Sequence, residues 1–420
     1  MDNRSLFGYG YLFRHIIDLY IKEENIMSLK IKVIGIGAAG NKAAIQLIKD
    51  RVLNRDSVLL LNSTARDIPE EYKTDLAIEF GNTRGCGKER ELAKQLIVDA
   101  LRERQVPIDS FIEGDEKFFV IVSSTEGGTG SGASVVLGEY LQQITGAPVH
   151  MVAFTGFEDD ARGLKNTVDW FNDLNEQFIV QVISNKKCLP FVENNRKRAE
   201  EYANRIFSQR ISTMIGINII PSDSNIDSMD LFKLNASPGY MTVEKVTLEK
   251  IRTSQDFNTQ IKQALANSVS LESDQSVKRL GVIINASKKI MEVVDDSFDV
   301  IKDAFGFPLE LFRQNQNDGN EDYVQIIASG MKMPIDDIKE TYAKFQKQRD
   351  RIDLDRDNFF NSKGKFNTHF TSTFDIGSKP SILTTDPNKL EANKNNFFTK
   401  YAALGATKTG LGKGIIKDEL

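Results

Sequence analysis

Residues that build disulfides and metal sites are scarce in this chain. Its 420 residues include two cysteines, Cys86 and Cys188, and three histidines scattered along its length. Two cysteines cannot form a disulfide framework or a CxxC metal site, so we expect two reduced thiols. The isolated histidines argue against a histidine metal site, and we expect no metal bound by protein side chains alone.

Long apolar runs and a strong net charge are also missing. No run approaches the roughly 20 apolar residues that span a bilayer. The formal net charge is −5, which lacks the positive excess typical of nucleic-acid-binding proteins. We therefore expect neither membrane contact nor direct sequence-specific binding of DNA.

The two ends of the chain carry patterns that could mislead. Residues 1–26 include an aromatic stretch broken by charged residues, and they lack a signal-peptide pattern. We interpret them as an added leader or an upstream start, with Met27 as a plausible initiator. The final Lys-Asp-Glu-Leu matches an ER-retention address, which requires a signal peptide. We interpret it as coincidence and expect a cytoplasmic protein.

The order of apolar runs predicts two domains and a tail. Residues 27–192 alternate short apolar runs with helical patterns, which is typical of a doubly wound α/β fold with a parallel sheet. A long helical pattern and the loop after it occupy 193–234, and residues 235–351 form a second, smaller α/β unit. Asn, Lys, Thr, Ser and Gly dominate 352–420 without periodicity, so this segment predicts a flexible, mildly basic tail.

Two glycine-rich loops each follow a predicted strand and open a predicted helix. The first is Gly35-Ile-Gly-Ala-Ala-Gly-Asn41, and the second is Gly127-Gly-Thr-Gly-Ser-Gly132. Such loops let backbone N–H groups and a helix N-terminus bind phosphate. The first loop alone also fits a dinucleotide dehydrogenase, but the second strand ends in Asn62-Ser-Thr64, without the acidic residue that binds a ribose. Two loops on one parallel sheet can bind a triphosphate from both sides.

The second loop resembles the signature loop of the tubulin/FtsZ superfamily, G-G-G-T-G-[ST]-G, with Glu126 replacing the first glycine. A carboxylate beside phosphates is unfavourable unless it faces away or reaches a magnesium ion. The resemblance implies GTP or GDP with Mg²⁺ as ligands. The residues that it assigns to the nucleotide are Gly37, Ala38, Ala39, Gly40, Asn41, Asn62, Gly85, Gly87, Gly127, Gly128, Thr129, Gly130, Ser131, Gly132, Glu158, Arg162 and Asn185.

Three of these matches imply recognition of the nucleoside. Glu158 and Arg162 resemble the residues that contact ribose and base edge in FtsZ, and Asn185 resembles the asparagine that recognises guanine. Lys186 stands where FtsZ often has aspartate. Without the resemblance, Glu158 and Arg162 would be interpreted as an ordinary i,i+4 surface ion pair.

A polar loop after the long helical pattern resembles the catalytic loop of FtsZ, N-x-D-x-x-D. It reads Asn225-Ile-Asp227-Ser-Met-Asp230. The resemblance implies that Asn225, Asp227 and Asp230 act in the nucleotide site of the next subunit of a head-to-tail filament. On residue types alone, such a loop is more typical of a solvated turn or helix cap.

Within the superfamily, the second unit resembles TubZ-type plasmid and phage proteins at Leu234–Gly239 and Tyr323–Arg351. This implies an assembly-dependent GTPase in a bacterial cytoplasm that segregates or positions plasmid or phage DNA, with the tail contacting a DNA-bound adaptor. Two alternatives remain open. One is a nucleotide-binding filament scaffold without hydrolysis, which Glu126 and Lys186 favour. The other is a Rossmann oxidoreductase, which Asn62 and the second glycine loop disfavour.

Overall fold

The computed structural model describes residues 28–81, 83–220, 226–272, 275–294, 297–352 and 387–401. The predictions for the leader (1–26) and for Asn225 lie outside these residues, as do those for 353–386 and 402–420.

The strands of the described residues form a single ten-stranded sheet in the order β3-β2-β1-β4-β5-β6-β7-β10-β8-β9. They are β1 Ile31–Ile36, β2 Val58–Asn62, β3 Ala77–Glu79, β4 Phe118–Ser124, β5 Val149–Thr155, β6 Ile179–Ser184, β7 Gly239–Thr247, β8 Arg279–Asn285, β9 Glu310–Gln316 and β10 Tyr323–Met331.

Helices cover both faces of this sheet. They are α1 Gly37–Lys49, α2 Glu70–Lys73, α3 Arg90–Arg102, α4 Ile108–Phe111, α5 Thr129–Thr145, α6 Ala161–Asn172, α7 Asn185–Cys188, α8 Arg196–Ile215, α9 Ser228–Asn235, α10 Ser254–Ala266, α11 Lys288–Met291, α12 Asp299–Phe305, α13 Ile335–Ile352 and α14 Pro387–Lys400. No described helix is both long enough and apolar enough to cross a bilayer.

The first six strands are all parallel, as the continuous apolar runs predicted. Residues of β1 alternate between two cores: Ile34 and Ile36 pack with α3 and α5, whereas Ile31 and Val33 pack with α1 and α8. A strand buried on both faces favours apolar side chains on both sides, which explains why Lys32 is the one charged residue in β1. The doubly wound α/β architecture is confirmed.

The second unit continues the same sheet instead of forming a separate one. Strand β7 runs parallel to β6 and pairs with it at Ile179–Gly239 and Val180–Tyr240. Strand β10 is antiparallel to both β7 and β8, and β9 pairs parallel to β8 at the sheet edge. A mixed sheet therefore joins both halves of the chain.

Within the segment predicted as a flexible tail, residues 387–400 form α14, which packs against α5. The Phe397 side chain is fully buried, and its ring lies edge-on to that of Tyr140 with centroids 4.9 Å apart. Lys400 forms an ion pair with Glu139 at 2.6 Å. Polar composition averaged over the whole tail concealed the apolar cluster of Phe397, Phe398 and Tyr401.

Candidate functional site

The two glycine loops meet at one edge of the sheet because β1 and β4 are adjacent and parallel. Gly37 has a left-handed backbone with φ of 75°, and a Cβ on it would lie 3.2 Å from the Gly130 amide nitrogen. A Cβ on Gly130 would lie 3.1 Å from the carbonyl oxygens of Ile36 and Ser124. Gly130 therefore allows the two loops to pack against each other, which is a different role from contacting a ligand.

Two helices begin at this edge without a side-chain cap. Helix α1 follows β1 directly, with Ile36 at its N-cap position, and α5 has Gly128 there; neither residue makes a side-chain capping hydrogen bond. Their first N–H groups are thus available to an anion, and both helix dipoles favour negative charge there. Ala38 and Ala39 lie in the first turn of α1.

Several glycines at this edge serve close packing. A Cβ on Gly40 would overlap the carbonyl oxygen of Val122, and one on Gly132 would overlap that of Arg90. Gly128 lies under the loop before α3, where a Cβ would be 2.8 Å from the amide nitrogen of Glu89.

Three other glycines face open space. A Cβ on Gly85, Gly87 or Gly127 would meet no atom of the described residues within 4 Å. Gly85 and Gly87 also have positive φ angles of 112° and 52°, so the loop depends on glycine for its conformation. These positions leave backbone exposed beside the uncapped helix ends, where a phosphate could approach.

Polar side chains at the ends of β2 and β4 complete this region. The hydroxyl oxygens of Ser63 and Thr129 are 2.7 Å apart. Asn41 donates to the carbonyl of Leu61 at 3.3 Å, but within the described part of the chain its Oδ1 has no hydrogen-bond partner, and neither has Nδ2 of Asn62. Both asparagines are buried. Since buried polar atoms are normally satisfied, these two are candidates for contact with a ligand.

The Ser131 hydroxyl serves the second loop itself, because it donates to the carbonyl of Gly127. Asn185 opens α7 at the end of β6, and its buried Oδ1 also has no partner among the described residues.

Glu126 is directed at the loop between β5 and α6. Its Oε1 accepts a hydrogen bond from the amide of Glu158 at 3.2 Å. A Cβ on Gly156 would overlap its carboxylate, and one on Gly163 would lie 3.3 Å from its Cβ, Cγ and Cδ. Burial raises the pKa of this carboxyl. Two glycines in the neighbouring loop and helix thus accommodate the side chain that replaces a glycine of the signature.

Glu158 and Arg162 do not pair with each other. Glu158 contacts Lys186 at 2.9 Å and Lys344 at 3.0 Å. Arg162 forms an ion pair with Glu89 at 2.5 Å. The two residues line different clefts beside α6, so the structure does not bring them to one point.

Asn166 is a site-edge residue that the sequence did not reveal. Its Nδ2 donates to the carbonyls of Lys88 and Glu126, both at 3.0 Å. It thereby joins α6 to the loops before α3 and α5. No motif in the sequence indicates this role.

Asp227 and Asp230 lie at the start of α9 and form its capping box. The Asp230 amide donates to Asp227 Oδ1 at 2.7 Å, and the Asp227 amide donates to Asp230 Oδ2 at 3.5 Å. Lys233 lies 3.6 Å from the Asp230 carboxylate. Both side chains are thus in the helix-capping arrangement that residue type alone predicted.

Helix α9 lies near the opposite edge of the sheet from the glycine loops. The carbonyl of Asn235, its last residue, accepts a hydrogen bond of 2.8 Å from Nε2 of His150. His150 is the second residue of β5, whereas the glycine loops follow the carboxyl ends of β1 and β4. One copy of the chain therefore keeps these two groups of residues apart.

The comparisons with known proteins agree with this arrangement. No family model matches the chain. The cell division protein FtsZ of Mycoplasmopsis pulmonis is 24% identical over 329 residues, covering 74% of this chain and 79% of that protein. The tubulin-like protein CetZ1 of Haloferax volcanii is 30% identical over 132 residues, which cover 29% of this chain and 33% of CetZ1.

Solved structures share the fold over most of their length. TubZ of Clostridium botulinum phage c-st superposes with a TM-score of 0.59 at 17% identity, covering 77% of this chain and 99% of that one. A GTPyS-form protofilament of TubZ from Bacillus thuringiensis serovar israelensis gives 0.63 at 18% identity, covering 79% and 95%. Similarity to FtsZ along most of the sequence, a shared fold and two glycine loops at one sheet edge lead to the same conclusion: the chain is similar in sequence and in fold to proteins of the tubulin/FtsZ superfamily.

Proposed function

We propose that the chain is a GTPase that assembles head to tail and completes its active site between neighbouring copies. One observation carries this proposal. The uncapped helix ends with open glycines lie at the carboxyl edge of the sheet, whereas the helix that begins with Asp227 and Asp230 ends, at Asn235, against the amino end of β5. A stack of copies brings opposite edges together, whereas a single copy cannot.

The carboxyl edge offers the groups that a nucleoside triphosphate needs. Backbone beside Gly85, Gly87 and Gly127 would approach the phosphates, and the N-termini of α1 and α5 would stabilise their charge. The unpartnered Oδ1 of Asn185 is an acceptor for the ring N–H and amino group of guanine. Among similar solved structures are a GTPgS-bound CetZ2 protofilament and GTPyS-form TubZ, and both support GTP as the ligand.

The residues fit a Mg²⁺ ion that arrives with the nucleotide. The described residues contain no group of three or more His, Cys, Asp or Glu side chains able to hold a metal. Mg²⁺ commonly binds through substrate phosphates, waters and one or two protein oxygens. The Ser63 and Thr129 hydroxyls provide such oxygens at the loops, and bound Mg²⁺ would neutralise phosphate charge.

In this proposal, Asp227 and Asp230 at the start of α9 would serve the neighbouring copy. Hydrolysis of a phosphoanhydride depends on positioning and on charge neutralisation more than on covalent chemistry. A carboxylate held by a capping box is fixed in orientation, and it could position the attacking water and accept its proton. Asp230 is less exposed than Asp227, and we assign it the larger effect.

A narrower role in moving plasmid or phage DNA rests on the likeness to TubZ, at TM-scores of 0.59 and 0.63. FtsZ and CetZ proteins are similarly close, with 0.58 for CetZ1 of Haloferax volcanii. In this proposal, residues beyond α14 contact a DNA-bound adaptor. Plasmid retention in cells with and without the chain measures this role, and equal retention contradicts it.

The decisive experiment compares Asp230→Asn with Asp256→Asn. Asp256 occupies the same capping-box position at the start of α10, paired with Thr253, so its substitution removes a similar helix cap. We expect Asp230→Asn to bind GTP and to sediment as polymer like wild type. Its phosphate release should fall by roughly 100-fold or more, the usual loss when a general base is removed.

Asp256→Asn should hydrolyse GTP at the wild-type rate. Hydrolysis by Asp230→Asn polymers at that rate would contradict the catalytic role and support a scaffold without such chemistry. Wild-type activity per subunit that stayed constant with protein concentration would contradict completion of the site by assembly.

A further inference from the structure

The last helix of the second half reaches the candidate nucleoside end of the site. Helix α13 packs along α6 through Tyr342 and Phe345, which contact Ala161 and Leu164. One turn of apolar contacts thus fixes the segment that carries Lys344. This lysine extends from α13 to Glu158 Oε2, at 3.0 Å.

The same carboxylate oxygen receives a second lysine. Lys186, which follows β6, lies 2.9 Å from Glu158 Oε2. Glu158 has a left-handed backbone with φ of 62° and a side chain that is 25% exposed. Two cations from two separate elements therefore hold one oxygen of a carboxylate that could otherwise adopt several rotamers.

These residues line a cleft of about 370 Å³ between α6, α13 and the carboxyl ends of β5 and β6. Its polar lining includes Glu126, Glu158, Thr155, Ser184, Lys186 and Lys344. Since Thr155 and Ser184 end their strands, this cleft opens at the edge that carries the glycine loops. The cleft joins residues of both halves of the chain.

We propose that Lys344 is a positioning residue of the nucleotide site: together with Lys186 it orients Glu158 to accept a hydrogen bond from a ribose hydroxyl. This inference rests on the proposed nucleotide binding. With Oε2 occupied by the lysines, Oε1 is the oxygen available to the ribose. A carboxylate is the usual acceptor for ribose hydroxyls, and prior orientation reduces the entropy lost on binding.

This arrangement links nucleotide binding to the position of α13. A ligand that binds better when α13 is docked must, by thermodynamic reciprocity, favour docking of α13. Helix α13 follows β10, which pairs with β7 and β8. A bound nucleotide would therefore stabilise the packing of the second half of the chain against the first half.

The test measures the affinity of wild type, Lys344→Gln and Lys339→Gln for two ligands, GTP and 2′,3′-dideoxy-GTP. Lys339 lies on the same helix and forms an exposed ion pair with Asp336 at 3.5 Å, so its variant is the matched control for loss of one charge. We expect Lys344→Gln to bind GTP about 5- to 20-fold more weakly, within the usual range of coupling between sites. It should bind the dideoxy analogue, which has no ribose hydroxyl to offer, as wild type does.

Further variants separate positioning from structure. Lys344→Arg should restore most of the GTP affinity, and Lys344→Gln in a Glu158→Gln background should cause no additional loss. Equal weakening for GTP and the dideoxy analogue would overturn the inference, since it would locate the effect at the phosphates. Unchanged or tighter GTP binding by Lys344→Gln would also overturn it while leaving the proposed function intact. Absence of GTP binding by wild type would overturn both.

Discussion

Glycines of the candidate site have two different roles that the sequence does not distinguish: some allow close packing, and others leave backbone exposed. Gly132 packs against the backbone of α3, and Gly127 faces open space beside the uncapped helix ends. The strand–loop–helix order of the sequence could predict where this loop lies. It could not tell packed from open glycines, because that difference depends on loops that are distant in the chain, such as residues 85–89.

Substitution by alanine should separate the two tasks. Gly127→Ala should unfold at the wild-type temperature, because its Cβ meets no protein atom, yet bind GTP at least about 10-fold more weakly. Gly132→Ala should lose about 1–3 kcal/mol of stability through overpacking against Arg90. Thermal unfolding and nucleotide titration of both variants check this. Wild-type GTP affinity in Gly127→Ala would place the phosphates elsewhere.

The surroundings of the candidate nucleoside residues follow only in part from the sequence. In the structure, Asn185 directly follows β6, and Glu158 lies in the loop after β5. Arg162 pairs with Glu89 and Glu158 with two lysines, which no local pattern encodes. Long charged side chains choose partners across the fold, so spacing of four residues does not determine an ion pair.

Among the strands and helices, those with regularly buried faces could be predicted from the sequence, whereas those at the edge of the fold could not. Buried parallel strands such as β1 and β4 show in the sequence as short, mainly apolar runs. Strand β9 lies at the edge of the sheet, where more exposed and more buried side chains alternate. Its sequence, Glu-Leu-Phe-Arg-Gln-Asn-Gln, is mostly polar, so it contains no apolar run that would predict a strand. Helix α14 was missed because its anchor is three aromatic side chains within a polar segment.

The anchoring of α14 can be tested at Phe397. This side chain is fully buried against Tyr140, and removal of a buried phenylalanine costs about 3–5 kcal/mol. A single helix held by few contacts cannot absorb this loss, so Phe397→Ala should release α14 from α5. Hydrogen exchange of residues 387–400 should then rise to that of an unprotected peptide, with the rest of the chain unchanged.

Thr399→Ala is the matched control, since the Thr399 hydroxyl bonds only within the helix, to the carbonyl of Asn395 at 2.9 Å. It should retain wild-type protection. If α14 remained protected from hydrogen exchange in Phe397→Ala, the ion pairs of Lys394 with Asp109 and of Lys400 with Glu139 would be sufficient to hold the helix against α5.

For the whole molecule, His150 joins the two halves of the chain. Its Nε2 donates to the carbonyl of Asn235 at 2.8 Å, and its ring lies 4.6 Å from that of Phe118. Burial lowers the pKa of His150 to about 3 from the ordinary value of 6.5. Below pH 6.5, His150 therefore binds a proton in the unfolded chain but not in the folded chain. The free energy of unfolding decreases as the pH falls from 6.5 toward 3.

Removal of this imidazole should flatten the pH profile of stability. His150→Gln keeps a donor for Asn235 but does not titrate. Below pH 6.5, the free energy of unfolding of wild type should decline relative to the variant by about 1.4 kcal/mol per pH unit. Denaturant unfolding from pH 8 to pH 5 measures the difference. Parallel profiles for the two proteins would mean that His150 is protonated in the folded state.

The position of α9 and the glycine loops at opposite edges of one sheet also has a mechanical meaning. In a head-to-tail stack, tension would enter a subunit near the amino end of β5 and leave at the carboxyl ends of β4 and β1. The load would run along the strands, across ladders of six residue pairs between β5 and β4 and six between β4 and β1. Hydrogen bonds loaded in shear must break together, whereas bonds loaded in peeling break one by one. A subunit built in this way would resist pulling along the stack far better than pulling across it.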